Sequence, residues 1–150
     1  MSDQRGMTMI ELIVVLAIMA LLMVPFVGLG ASVSKGIETC AFDTECQMVL
    51  NKIIQLQNET MMLGDLMSNT VTFHDSKIIF SCYDRIQNRH VSEIMLIKHS
   101  KLKGNLLRQK IRFSPMGTAS PGGTLEFVRN NKTEKELIVQ IGKGRIYLTK

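Results

Sequence analysis

The sequence has few of the residues from which metal sites and catalytic sites are built. Three cysteines and three histidines occur among its 150 residues, without a CxxC pair or a Cys/His cluster at zinc spacing, so we expect no metal site. There is no recognisable arrangement of nucleophile, base and orienting acid, and no close pair of carboxylates in a cleft motif. The sequence therefore predicts a protein that is not an enzyme, needs no cofactor and has no small-molecule substrate.

The three cysteines allow at most one disulfide within the chain. Cys40 and Cys46 are six residues apart on a predicted helix, which separates them by about 9 Å along its axis, too far for a bridge. Cys46 lies on the predicted apolar face of that helix and can reach Cys82 on a predicted strand. Two interpretations therefore stay open, a Cys46–Cys82 disulfide and two buried thiols.

Charge is absent from Leu12 to Ser34, a run of 23 residues. A helix needs about 20 apolar residues to cross the hydrocarbon core of a bilayer, so this run is long enough. The polar leader before the run has only six residues, and no A-x-A-like site follows within it, which argues against a secretory signal. Glu11 stands near the start of the run, where a carboxylate is costly unless it reaches the interface or a partner charge.

The residues Gly6-Met7-Thr8-Met9-Ile10-Glu11, followed by the apolar run, resemble the class III signal of type IV prepilins and pseudopilins. The resemblance implies that a prepilin peptidase cuts between Gly6 and Met7 and methylates the new amine of Met7. Glu11 is then the fifth residue of the mature chain. We expect its carboxylate to pair with that amine on a neighbouring subunit, because an unpaired charge is costly in a low dielectric. Met7 stands where the family most often has phenylalanine.

One long helix is predicted from about Met9 to Leu63. Beyond Lys35 its apolar residues recur at spacings of three, four or seven and form one face, namely Phe42, Cys46, Val49, Ile53, Leu56 and Leu63. Charged residues at seven-residue steps fall on another face, namely Glu38, Glu45, Lys52 and Glu59. Gly64 is the predicted C-cap, because glycine adopts the left-handed conformation that ends many helices.

After Gly64 the apolar residues recur with a period of two, which is typical of strands. Three hairpins are predicted, with the arms "TVTF" and "KIIFSCY", "EIMLIKH" and "NLLRQKIRF", and "GTLEFVR" and "ELIVQI", before a last strand in "GRIYL". The result is an antiparallel β head packed on the helix, an α+β fold like that of the type IV pilins. The predicted division is a leader at 1–6, a transmembrane and assembly helix at 7–34, an amphipathic helical half at 35–64 and the head at 65–150.

The head is basic, with fifteen Lys and Arg against seven Asp and Glu from Met61 to Lys150, a balance of +8. Lys98, Lys101 and Lys103, in the preceding hairpin arm and turn, add to a basic patch centred on the next predicted strand. Arg108, Lys110 and Arg112 alternate along that strand, so we expect their side chains on one strand face. That face can contact DNA phosphates, or it can be an ordinary solvated surface. Aromatic residues make up only 5% of the chain, so the stacking of unpaired bases lacks a platform.

The C-terminal third has a second pattern, made of Phe113, Gly117, Gly122-Gly123-Thr124 and Gly142-Lys143-Gly144-Arg145. This pattern resembles minor pseudopilins of the GspH and FimT type, and most closely the ComGD pseudopilins of the competence apparatus of Gram-positive bacteria. We interpret its glycines as tight β connections in preference to a phosphate cradle, because no strand-loop-helix context follows.

The two resemblances imply a minor pseudopilin of a DNA-uptake filament, which a prepilin peptidase processes and which assembles with other major and minor pseudopilins. They also imply a single pass of the cell membrane before assembly, with the head outside the cytoplasm, and a place at the cell surface afterwards. Two alternatives stay open. One is a minor pseudopilin of a type II secretion system or a minor pilin of a type IV pilus. The other is a membrane-anchored protein whose basic head binds DNA or a wall polymer.

Overall fold

The computed structural model describes residues 8–142 and 144–149, with the backbone alone for residues 24–32. The chain divides into two compact units, one up to Cys40 and one from Ala41 onward. The described residues form one long α-helix, α1, and nine β-strands in two sheets. In the second unit the helix packs on the inner faces of both sheets. The α+β fold predicted from the sequence is therefore confirmed.

The helix α1 runs from Met9 to Leu63, so both of its ends agree with the prediction. Gly64 follows with a φ of 57°, the left-handed conformation in which glycine ends a helix without the steric cost of a Cβ. A single turn of 3-10 helix, Gly64–Leu66, then leads into the first strand.

The apolar face of α1 is buried as predicted at five of its six positions, namely Phe42, Cys46, Val49, Ile53 and Leu56. Leu63 is an exception, because it is 40% exposed. Thr60, five helical turns after Phe42, takes the centre of the buried face in its place. The Thr60 hydroxyl donates to the carbonyl of Leu56 at 2.8 Å, which satisfies its polar group inside the core.

The nine strands are β1 Met67–Phe73, β2 Lys77–Asp84, β3 Arg89–Leu96, β4 Lys101–Gly104, β5 Lys110–Phe113, β6 Ala119–Ser120, β7 Gly123–Arg129, β8 Lys132–Val139 and β9 Ile146–Thr149. The first sheet has the order β3-β2-β1-β5-β6, and the second has the order β4-β7-β8-β9. All neighbouring strands in these sheets are antiparallel. The chain crosses between the two sheets three times, at β4, β5 and β7.

The first and third predicted hairpins are confirmed. Strand β1 pairs with β2, with Phe73 opposite Ile78, and β7 pairs with β8. Asn130 and Asn131 connect β7 to β8, and both have a positive φ. A two-residue hairpin turn of type I′ requires a positive φ at both positions, because this turn follows the twist of the two strands. The last predicted strand is also present, because β9 pairs with β8.

The second predicted hairpin is wrong. Strand β3 pairs with β2, and β4, which occupies the segment predicted as a turn, pairs with β7. Strand β5 begins only at Lys110 and pairs with β1 and β6. The reason is the turn before it, where Arg108 has a φ of 63° and donates its backbone N–H to the carbonyl of Phe73 at 2.8 Å.

The core lies between the buried face of α1 and the inner faces of the two sheets. The first sheet contributes Val71, Phe73, Ile78, Phe80, Ile111 and Phe113, and the second contributes Leu102, Leu125, Phe127, Leu137 and Val139. Each fully buried side chain of this size stabilises the fold by about 1.5–3 kcal/mol. Every residue of this cluster lies in the second unit, so that unit has a complete core of its own.

Two ion pairs stand over the Phe42 ring, where α1 meets the second sheet. Arg129 donates to both carboxylate oxygens of Glu134, at 3.0 and 2.8 Å, and its guanidinium lies 4.8 Å from the centre of the Phe42 ring. Lys135 pairs with Asp43 at 2.6 Å, and its ammonium lies 5.8 Å from the same ring. These cation–π contacts fix the start of β8 against the helix.

Candidate processing and assembly site

The start of α1 is closed by a reciprocal pair of hydrogen bonds between Thr8 and Glu11. The carboxylate oxygen Oε2 of Glu11 accepts the backbone N–H of Thr8 at 2.8 Å and its hydroxyl at 2.9 Å. The backbone N–H of Glu11 points back to the Thr8 hydroxyl at 3.4 Å. The carbonyl of Thr8 accepts the first intrahelical bond, from the N–H of Leu12 at 3.2 Å.

This arrangement is a capping box, in which an N-cap threonine and a glutamate three residues later satisfy each other's backbone donors. The T-x-x-E spacing of Thr8 and Glu11 is visible in the sequence and predicts this box, in addition to the partner amine or membrane interface expected for Glu11. The carboxylate therefore has a local partner within its own chain. Glu11 also lies in the first turn of the helix, where the helix dipole favours a negative charge.

Every residue from Thr8 to Met23 is exposed, although most of these side chains are apolar. Met9 is 82% exposed and Leu21 is 76% exposed. Soluble monomers seldom expose a contiguous apolar patch larger than a few hundred Å², and larger patches mark contacts with other proteins or with a membrane. The exposed apolar side chains of this part of α1 therefore indicate a contact with another protein or with a membrane.

Two of the predicted site residues, Gly6 and Met7, lie outside the described residues, and nothing in the structure bears on the predicted cut between them. The membrane prediction for residues 7–34 falls partly on residues 24–32, whose side chains are not described. Among the helices formed by the described residues, none combines the length and the apolar character needed to cross a membrane.

Residues 1–27 match a family model described as the prokaryotic N-terminal methylation motif. These residues carry a prepilin-type signal. The methylation motif covers the predicted cleavage position, the Thr8–Glu11 capping box and the whole exposed segment from Thr8 to Met23. No curated protein and no solved structure matches the chain.

The Cys46–Cys82 disulfide considered from the sequence is not formed, and both residues are thiols. Cys82 lines a small crevice with Leu56 and Glu59, ten residues or more beyond Cys46 along α1. That spacing corresponds to at least about 15 Å of helix, and a disulfide cannot bridge it. The Cys82 thiol instead lies 3.6 Å from the sulfur of Met67.

Burial raises the pKa of the Cys46 thiol to about 12, because the thiolate would lose its hydration inside the core. At pH 8 only about one Cys46 in ten thousand is then the reactive thiolate. We expect iodoacetamide to modify the exposed Cys40 in the native protein and to modify Cys46 only after unfolding in urea. Peptide mass spectrometry measures both positions in one digest. Equal modification of Cys40 and Cys46 in the native protein would contradict the buried position of Cys46.

The three residues of the predicted basic strand face do not share one face. Lys110 and Arg112 are exposed on β5, opposite Thr72 and Thr70 of β1. Arg108 precedes the strand in its left-handed turn, and its guanidinium lies 3.7 Å from the carboxylate of Asp75. Whether Arg108, Lys110 or Arg112 contacts DNA stays a prediction.

Gly117 and Gly144, from the two glycine-rich turns of the C-terminal pattern, meet at one side chain of α1. The amide nitrogen of Gln57 donates to the carbonyls of Gly117 and Gly144, the latter at 2.7 Å. Gly117 and Gly144 both have a positive φ, and a Cβ on Gly144 would overlap the Gly117 carbonyl. These two glycines therefore allow close backbone connections, as the sequence predicted. The side chain that both turns contact is Gln57, which the sequence did not indicate.

Glu45 is buried, contrary to the sequence prediction. It was assigned to a charged face of the helix, yet it is only 6% exposed. Its carboxylate accepts the backbone N–H of Lys98 at 2.7 Å, the N–H of His99 at 3.2 Å and the hydroxyl of Ser100 at 3.2 Å. The loop that supplies these donors begins 53 residues later in the chain, so no local signal could reveal the contact.

Proposed function

We propose that the chain is a minor pseudopilin of a DNA-uptake filament. A prepilin peptidase cuts it between Gly6 and Met7 and methylates Met7, and the mature chain then joins a filament with other pseudopilins. The protein acts by packing and charge pairing and catalyses no reaction. The methylation motif at residues 1–27 supports the processing step, and the resemblance of the C-terminal glycine pattern supports the choice of a competence filament.

The observation that carries the proposal is the coincidence of an exposed apolar helix and a carboxylate at its start. The apolar side chains from Met9 to Met23 are exposed in the single chain, and apolar surface of this extent is normally buried against a partner. In this proposal, lipid buries them before assembly and the helices of neighbouring subunits bury them afterwards. Glu11 stands four residues after the proposed new N-terminus. In the single chain its carboxylate is held by Thr8, and in the filament it exchanges this neutral partner for the amine of a neighbouring Met7.

The proposal places residues 7–34 in the cell membrane before assembly, with the head outside the cytoplasm and later at the cell surface. The absence of charge from Leu12 to Ser34 supports this placement. The head then serves as the part of the subunit that is displayed on the filament. Its own core is complete without the N-terminal unit, as a displayed domain requires.

Mass analysis of the mature N-terminus tests the processing step. In cells that contain the prepilin peptidase, we expect the N-terminal peptide to begin at Met7 and to carry one methyl group on its amine. The control variant Gly6→Val should retain residues 1–6, because the peptidase of this family cuts after glycine. An intact leader on the unaltered chain, in cells where a known prepilin is processed, would contradict the proposal.

A deletion of the gene distinguishes the competence filament from the related machines. A competence pseudopilin is needed for transformation by added DNA, whereas a secretion pseudopilin is needed for the release of exported proteins. We expect transformation to be lost and secretion to be unchanged. Loss of secretion with normal transformation would support the type II secretion alternative in place of this one.

A further inference from the structure

An open groove of about 680 Å³ lies beside the second sheet, between two loops of the head. One wall is the segment from β3 to β4, which supplies Lys98, His99 and Lys101, and the other is the end of β7 with its turn, which supplies Arg129, Asn130 and Asn131. We call this cavity the loop groove. The sequence predicted one basic patch centred on Arg108, Lys110 and Arg112, with Lys98, Lys101 and Lys103 beside it; in the fold Lys98 and Lys101 line a groove that Arg108, Lys110 and Arg112 do not reach.

The loop groove is positively charged. Lys98 and Lys101 are exposed, and neither forms an ion pair with any residue that the structure describes. No carboxylate is among the lining residues. Three acids close to the lining residues have partners, because Glu45 accepts hydrogen bonds from the loop backbone, Glu134 pairs with Arg129 and Asp75 lies 3.7 Å from Arg108. The ammonium groups of Lys98 and Lys101 therefore face solvent without an ion-pair partner among the described residues, and the lining itself carries positive charge and no negative charge.

Buried contacts hold both walls in place before any ligand arrives. On one side the carboxylate of Glu45 accepts three hydrogen bonds from Lys98, His99 and Ser100, which fixes the course of the loop. On the other side Arg129 is held by both oxygens of Glu134 and by the Phe42 ring. A site whose walls are already ordered loses little conformational entropy on binding.

The lining groups fit phosphate better than a base or an apolar ligand. Lysine ammonium groups, asparagine amides and serine hydroxyls are the side-chain donors that usually contact phosphate oxygens, and Ser76 and Ser100 add two hydroxyls to the groove. No Phe, Tyr or Trp side chain lines it and His99 is its single ring, so a series of unpaired bases has no stacking platform. We propose that the loop groove binds the phosphodiester backbone of an anionic polymer, without reading its sequence.

This inference does not rest on the filament assembly proposed above. It also competes directly with the earlier prediction that Arg108, Lys110 and Arg112 form the phosphate contacts. Lys110 and Arg112 lie on an exposed strand of the first sheet, opposite two threonines, and Arg108 is close to Asp75. The loop groove is a separate surface, because its lining contains none of these three residues.

The test compares two double variants that remove equal charge. In the full-length protein in detergent, Lys98→Ala/Lys101→Ala removes the groove lysines and Lys110→Ala/Arg112→Ala removes the β5 cations. Binding to a fluorescent DNA duplex and to poly(glycerol phosphate) is measured by anisotropy over a range of salt. Two lysine–phosphate contacts give a salt slope of about −1.8 on duplex DNA, so affinity should fall about 12-fold between about 50 and 200 mM salt.

We expect the groove variant to lose this salt-dependent binding and the β5 variant to keep it. The polymer that the unaltered protein binds more tightly identifies the source of the phosphodiester. Equal loss in the two variants would show binding by net charge alone and would overturn the proposal. Loss only in the β5 variant would overturn it in favour of Lys110 and Arg112, and the absence of binding to both polymers at low salt would also overturn it.

Discussion

Gly144→Ala is expected to destabilise the head by about 3–4 kcal/mol. The alanine must adopt a φ of 60°, which costs about 1 kcal/mol or more. Its Cβ would also overlap the backbone carbonyl of Gly117 and lie 2.8 Å from the amide nitrogen of Gln57. The two turns must then separate, which breaks hydrogen bonds worth about 1 kcal/mol each.

Gly142→Ala is the matched control, two residues earlier in the same turn. Gly142 has a similar φ of 76°, but no atom lies within 4 Å of the position that a Cβ would take. This variant should lose only about 1 kcal/mol, from the backbone conformation alone. Urea unfolding of both variants measures the difference. Equal losses would show that the contact with Gly117 and Gln57 has no energetic role.

Glu11→Gln is expected to be cleaved normally and to reduce incorporation into filaments at least about tenfold, because a charge that must be matched in low dielectric has been removed. The substitution separates the two roles of the residue. Glutamine at the third helical position still completes a capping box with Thr8, so the start of α1 is preserved. Its neutral amide cannot neutralise the amine of a neighbouring Met7.

Thr8→Ala is the reciprocal control for Glu11, because it removes the cap hydroxyl and keeps the charge. We expect this variant to be incorporated nearly as well as the unaltered chain. Filaments sheared from cells and quantified by immunoblot, relative to the processed subunit in the membrane, give the measurement. If Glu11→Gln assembles normally and Thr8→Ala does not, the carboxylate serves as a helix cap and the proposed pairing with the amine is wrong.

The features that the sequence predicted well depend on signals within a few residues of each other. The end of α1 follows from Gly64, and the hairpins β1–β2 and β7–β8 follow from alternating apolar residues that flank a short polar turn. The five buried apolar residues of the helix follow from its period. Each of these features is marked by a pattern of residues close together in the chain, so the local pattern is sufficient to locate it even where its packing partners are distant.

The features that were missed depend on residues far apart in the chain. Lys101–Gly104 looked like a turn, but it pairs as β4 with β7, more than twenty residues later. Glu45 looked like a surface charge, because the amides that it accepts lie in a loop 53 residues away. The candidate assembly site was predicted from a motif within a few residues. The loop groove could not be predicted in this way, because Lys98 and Asn130 come together only in the folded chain.

The contact of Gln57 with two glycine turns also bears on the order in which the head folds. Its amide reaches carbonyls that are 60 and 87 residues away along the chain, and closing loops of that length costs entropy that a hairpin avoids. Contacts so distant in sequence form slowly, so we expect the hairpins first and the attachment of the two turns to α1 last. Until that step, we expect the C-terminal strand β9 to be held only by its pairing with β8 and by the packing of Ile146 and Leu148, and to be open to proteases. We therefore expect the contact of Gln57 with the two turns to be the step at which the head becomes resistant to degradation.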